Sequence, residues 1–146
     1  MAAIEVIVGS VYGAAILVAE SLEEALVAAG HTVNFHEEVT LSELDVSHPW
    51  LIVTSTTGQG ELPPDLLPLF MEIQDRCPQI PQLRYGLVAL GDSSYDNFCG
   101  AGVQFNALLQ ELEAQPLAEM LKIDAGETLE PEEPALAWLS SWIEKL

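Results

Sequence analysis

The chain has 146 residues, 49% of them apolar, which suffices for one domain with a real core over residues 1–146 and excludes a disordered chain. Four Lys and Arg stand against 23 Asp and Glu, a formal net charge of −19; that field repels nucleic acid and anionic membranes and favours a partner with a basic face. No apolar run reaches the roughly 18–20 residues of a membrane span and no signal-peptide pattern opens the chain, so the expected location is the cytoplasm.

Strand-like and helix-like segments alternate. Ala3–Val8, Trp50–Thr54 and Tyr85–Leu90 are nearly continuous apolar runs, the pattern of parallel strands buried on both faces. Thr32–His36 and Leu117–Ile123 read as weaker strands nearer the sheet edges, the latter uninterrupted. In Gly13–Ala29, Val18, Leu22, Ala25 and Leu26 repeat with helical period, while Glu20, Glu23 and Glu24 form a solvated face. Gly30 follows as a stop, because glycine reaches the left-handed region without strain. A helix over Pro63–Arg76 carries Leu66, Phe70 and Ile73 inward, and tolerates Pro68 only in its first turn. Phe105, Leu108, Leu109 and Leu112 mark another helix. Leu136, Leu139 and Ile143 mark a last one, opened by Pro134 and nearby acids that suit a helix start. This order predicts an α/β fold, a doubly wound parallel sheet with right-handed crossovers. Ligands bind such sheets beyond the carboxyl ends of the strands, in the loops after Val8, Thr54 and Leu90.

The two cysteines, Cys77 and Cys99, lack a Cys-x-x-Cys spacing and read as reduced thiols. His31, His36 and His48 show no metal-ligand spacing. The first loop, Gly9-Ser10-Val11-Tyr12-Gly13-Ala14-Ala15, joins a buried strand to a helix start, where free N–H groups and the helix dipole form an anion site. By itself it reads equally well as a tight turn. It holds no Gly-x-Gly-x-x-Gly and no Gly-Lys-Ser/Thr, which argues against a dinucleotide or triphosphate site. It also has no Lys or Arg, so a bound phosphate must rest on neutral donors. The second loop, Thr54 to Pro63, is denser in hydroxyls and glycines than a turn requires. The third, Leu90 to Gly100, sets Tyr95 and Phe98 in polar surroundings, where an aromatic either packs locally or stacks on a planar ring.

Taken together, Ser-Thr-Thr-Gly-Gln-Gly-Glu-Leu-Pro at Ser55–Pro63 and Leu-Gly-Asp-Ser-Ser-Tyr-x-x-Phe-Cys at Leu90–Cys99 resemble the flavodoxin family over the whole chain, closest to its short-chain bacterial branch. The resemblance implies a five-stranded parallel sheet of order 2-1-3-4-5 and one FMN. It implies that Ser10, Val11, Tyr12, Gly13, Ala14 and Ala15 wrap the phosphate. Thr56, Thr57, Gly58, Gln59 and Gly60 would border the isoalloxazine. Leu90, Gly91, Asp92, Tyr95, Phe98 and Cys99 would supply ring-edge and stacking contacts. Ala14, Ala15 and Tyr12 replace residues that are often polar in the family, so a weaker grip on phosphate is expected. Thr57 stands where many members carry an aromatic, which removes a stacking partner worth roughly 0.5–1.5 kcal/mol. The Gly58–Gln59 peptide can reorient cheaply because glycine tolerates positive φ, and with Glu61, Asp92 and Asp96 it would tune the flavin's potential. The function implied is that of a monomeric electron carrier between an NAD(P)H-dependent reductase and acceptor enzymes with basic docking faces, with no acid, base or nucleophile of its own and no metal. The alternatives are a flavin-dependent quinone or nitro reductase, and a degenerate member acting as an interaction module.

Overall fold

A computed structural model of the chain describes residues 3–10, 13–56, 60–92, 99–124, 127 and 130–146. The elements follow the predicted alternation: β1 (Ala3–Gly9), α1 (Ala14–Ala28), β2 (Thr32–Glu37), a 3-10 turn (Leu41–Glu43), β3 (Trp50–Thr54), α2 (Leu67–Arg76), β4 (Arg84–Gly91), α3 (Gly100–Glu111), β5 (Gln115–Pro116), β6 (Leu121–Asp124) and α4 (Glu132–Ile143). The strands are parallel in the order β2-β1-β3-β4, and both β5 and β6 pair with the outer side of β4. This is the expected 2-1-3-4-5 order, with the fifth position shared by two short strands.

That division corrects the expectation of one uninterrupted strand. Tyr85 pairs with Pro116 and Val88 with Leu121, so three steps along β4 face five along the edge. The two surplus residues must leave the ladder. Pro116 lacks an N–H to donate at the break, and the Glu119 carbonyl, turned out of the sheet, accepts the Trp138 indole N–H at 2.9 Å.

Alternation along each central strand divides the core in two. Ile7, Ile52 and Leu87 pack under α2 and α3 with Leu69, Ile73 and Phe105. Ile4, Val6, Leu51 and Val88 pack under α1 and α4 with Val18, Leu22, Leu139 and Trp142. Gly30 takes the expected left-handed φ of 94° after α1. The helix over Pro63–Arg76 begins later than expected: Pro64–Leu66 form a turn and Pro68 sits in the first turn of α2. On α4 the inward face is Ala135, Leu139 and Trp142, while Leu136 is exposed. The tryptophans, not the leucines alone, set the buried stripe there.

Glu5 is the exception in β1. It points to the Ile7 side of the sheet and is only 2% exposed. Its carboxylate accepts the Asn34 Nδ2–H at 2.6 Å and meets His36 Nε2 at 3.0 Å and His48 Nδ1 at 3.4 Å. Burial pushes its pKa up, yet those hydrogen bonds and the nearby His36 outweigh it and hold the group below the ordinary 4.5. A carboxylate depressed in the folded state adds stability above its unfolded pKa and loses it as the pH falls through the folded value. Wild type should therefore destabilise more steeply below about pH 4.5 than Glu5→Gln. Chemical denaturation at stepped pH values checks this; parallel slopes would contradict it.

Candidate functional site

Three loops leave the carboxyl ends of β1, β3 and β4 side by side. The first begins at Gly9, which is pressed against the turn before α2: a Cβ there would lie 2.6 Å from Leu66 Cβ. The Ser10 N–H donates to both carboxylate oxygens of Asp65, at 3.1 and 3.2 Å. The Ser10 hydroxyl accepts the Gly13 N–H at 2.8 Å. Gly13 then takes φ 87° and starts α1, which has no side-chain cap and no acid in its first turn. The N–H groups of such a helix start lack intrahelical partners and attract an anion.

The second loop is tied to both neighbours. The Ser55 N–H donates to the Gly9 carbonyl at 3.0 Å. Thr54 is fully buried and gives its hydroxyl to the Ser55 carbonyl at 2.9 Å. Thr56 Oγ1 is buried without a hydrogen-bonding partner, one of two such side-chain atoms among the described residues. Such an orphan hydroxyl suits a polar ligand atom. Gly60, buried with φ 81°, meets the start of α3. A Cβ on Gly100 would lie 2.8 Å from the Gly60 carbonyl oxygen, which also accepts the Gln104 amide N–H at 2.7 Å.

The third loop leaves β4 at Gly91, where an added Cβ would stand 2.8 Å from the Cys99 backbone nitrogen. Asp92 follows, half-buried at the strand end. Cys99 has φ 54° and precedes α3, another helix start with no capping side chain and no acid in its first turn.

Among the expected site residues, Ser10, Gly13, Ala14, Ala15, Thr56, Gly60, Leu90, Gly91, Asp92 and Cys99 gather around these strand ends. The side chains of Ala15 and Leu90 belong to the core under α1 and α4, and that of Cys99 to the core under α2 and α3. Val11, Tyr12, Thr57, Gly58, Gln59, Tyr95 and Phe98 lie outside the described residues, as does Asp96. Sequence reading missed Asp65, Gly100 and Gln104. Gly100 closed the third-loop motif and could have been found as a glycine at a helix start; the other two gave no spacing signal. A cavity of about 550 Å³ lined by Ser10, Glu38, Val39, Thr40, Pro64, Asp65 and Pro68 opens between the end of β2 and the start of α2. Among its described lining residues, Ser10 is the one that belongs to the three loops.

A match to the Flavodoxin family model covers residues 6–138. The chain belongs to the flavodoxin family. Flavodoxin YqcA of Escherichia coli strain K12 is 51% identical over 144 residues, 97% of each chain. Protein MioC of the same strain is 38% identical over 146 residues, 100% of this chain and 99% of its own. A solved cysteine-to-serine mutant of flavodoxin from Pseudomonas aeruginosa superimposes with a TM-score of 0.91 at 40% identity, covering 99% of this chain and 98% of that one. A flavodoxin is an FMN-binding electron-transfer protein that works with redox partners. Among the described residues of this flavodoxin, no helix is long and apolar enough to cross a membrane and no cluster of His, Cys, Asp or Glu could hold a metal ion.

Both thiols of this flavodoxin are free. Burial is the main cause that pushes Cys99 up to about 11, and its Sγ–H points at the Ala89 carbonyl, 3.4 Å away. Cys77 is exposed on the surface. A thiolate-specific reagent should therefore label Cys77 in the native protein and reach Cys99 only after unfolding. Mass spectrometry of the labelled peptides checks the assignment.

Proposed function

We propose that the three loops hold one FMN, the first on its phosphate and the second and third on its ring, and that the protein is a cytoplasmic, monomeric one-electron carrier without a substrate site of its own. The observation that carries this reading is the junction of the loops: Ser55 ties the second to the first, and Gly100 and Gln104 tie the third to the second. The donor set fits the group. The uncapped start of α1 offers neutral N–H groups to a phosphate, and the buried Thr56 hydroxyl has no other partner. FMN, when bound, supplies the redox chemistry, while the protein supplies position and electrostatics. Ser10, Gly13, Ala14 and Ala15, with Val11 and Tyr12, would bind the phosphate. Thr56 and Gly60, with Thr57, Gly58 and Gln59, would border the ring on one side, and Gly91 and Asp92, with Tyr95 and Phe98, on the other.

The charge of −19 supports a reductase and acceptors that dock through basic faces. No feature of the described residues favours the quinone or nitro reductase reading or the interaction-module reading. Added FMN should be bound by the apoprotein with quenched flavin fluorescence and a shifted visible band. An unquenched titration at micromolar protein would overturn the cofactor assignment.

A further inference from the structure

We propose that Asp65 is a positioning residue for the phosphate loop, acting through Ser10; this deepens the FMN reading and rests on it. Asp65 lies 55 residues from Ser10 in sequence, in the turn before α2, and both of its carboxylate oxygens accept the one Ser10 N–H. The bond is partly buried, so removing the acceptor leaves a backbone donor without a partner. A second bond continues the chain, from the Gly13 N–H to the Ser10 hydroxyl. Gly13 holds φ 87° and opens α1. Asp65 thus fixes Ser10, Ser10 fixes Gly13, and Gly13 sets where the free N–H groups of the α1 start point. Asp65 does not touch the phosphate. The contact also occupies the Ser10 N–H, which leaves the phosphate to the donors further along the loop. Its acceptor oxygen is what the loop needs; its charge beside a dianion is a disadvantage that the geometry outweighs.

The two contributions separate by substitution. Asp65→Asn keeps an oxygen for Ser10 and removes the charge; Asp65→Ala removes both. Titration of each apoprotein with FMN and with riboflavin, followed by flavin fluorescence, reads the phosphate contribution as a ratio. We expect Asp65→Ala to weaken FMN at least tenfold and riboflavin no more than twofold. Asp65→Asn should bind FMN as tightly as wild type or more tightly. Equal losses for both flavins would reduce Asp65 to a structural contact, and tighter FMN binding by Asp65→Ala would make it a competitor of the phosphate; either overturns the proposal, as does an unchanged ratio. Should Asp65→Ala fail to fold, amide exchange in wild-type apoprotein decides: the Ser10 N–H is protected if the contact exists and exchanges freely if it does not. Wild-type protein that binds neither flavin would remove the FMN reading itself, a result distinct from every variant outcome.

Discussion

Gly100→Val should weaken FMN binding at least tenfold, or by about 1.4 kcal/mol, with a loss of fold stability of roughly 1–3 kcal/mol from overpacking. A Cβ at this position would stand 2.8 Å from the Gly60 carbonyl oxygen, 2.9 Å from its Cα and 3.2 Å from its carbonyl carbon. All three are backbone atoms, so no side-chain rotation relieves the clash. Either α3 or the second loop must move. α3 is anchored by Phe105 and Leu109, both fully buried, whereas Gly60 is held by the Gln104 amide at 2.7 Å and sits at φ 81°, where few other residues go. The loop is the part that yields, and it carries the residues proposed to border the flavin ring. Fluorescence titration with FMN measures the effect. An affinity equal to wild type would mean that the second loop and α3 are not coupled through this contact.

Trp142→Ala should cost about 3–5 kcal/mol, the range for deleting a large buried aromatic, while Trp142→Phe should stay within about 1.5 kcal/mol of wild type. Trp142 is fully buried and lies on the bare backbone of Gly86, where a Cβ would meet its Nε1 at 2.4 Å. Trp138 stacks on it, with ring centroids 6.1 Å apart and planes 17° from parallel. The indole N–H has no partner in this buried site, and burying such a donor costs about 1–3 kcal/mol. Phenylalanine gives up contact area but also removes that orphan group, and the two changes offset. Urea unfolding of the three proteins measures both differences. If phenylalanine costs as much as alanine, the N–H carries a bond that the packing does not reveal.

The central strands were legible because burial on both faces leaves little room for polar alternation: Val6, Ile52 and Val88 sit in nearly continuous apolar runs. The three loops were legible for a related reason, since a glycine- and hydroxyl-rich segment after a buried strand has nowhere to be but a strand end. What spacing does not encode is a bond between distant segments. No spacing links Asp65 to its partner Ser10, which lies 55 residues away in another loop. Glu5 is the one charge within the run Ala3–Val8, and its three side-chain partners come from β2 and from the segment before β3. Leu136 fitted the helical period yet faces solvent, because the large rings of Trp138 and Trp142 decide how α4 sits on the sheet. The resemblance supplied the cofactor and the sheet order. The residues that lock the loops together came only from the three-dimensional arrangement.

The divided fifth strand has a consequence for association. An edge strand offers a row of backbone donors and acceptors that another chain can extend, and a long straight edge is an aggregation hazard. Here that row is cut into runs of two residues, Gln115–Pro116, and four, Leu121–Asp124, with a proline at the break. The indole of Trp138 holds the intervening bulge out of line. A second copy of this sheet would find no continuous template on that side, so the chain can keep a short, open edge without inviting edge-to-edge pairing.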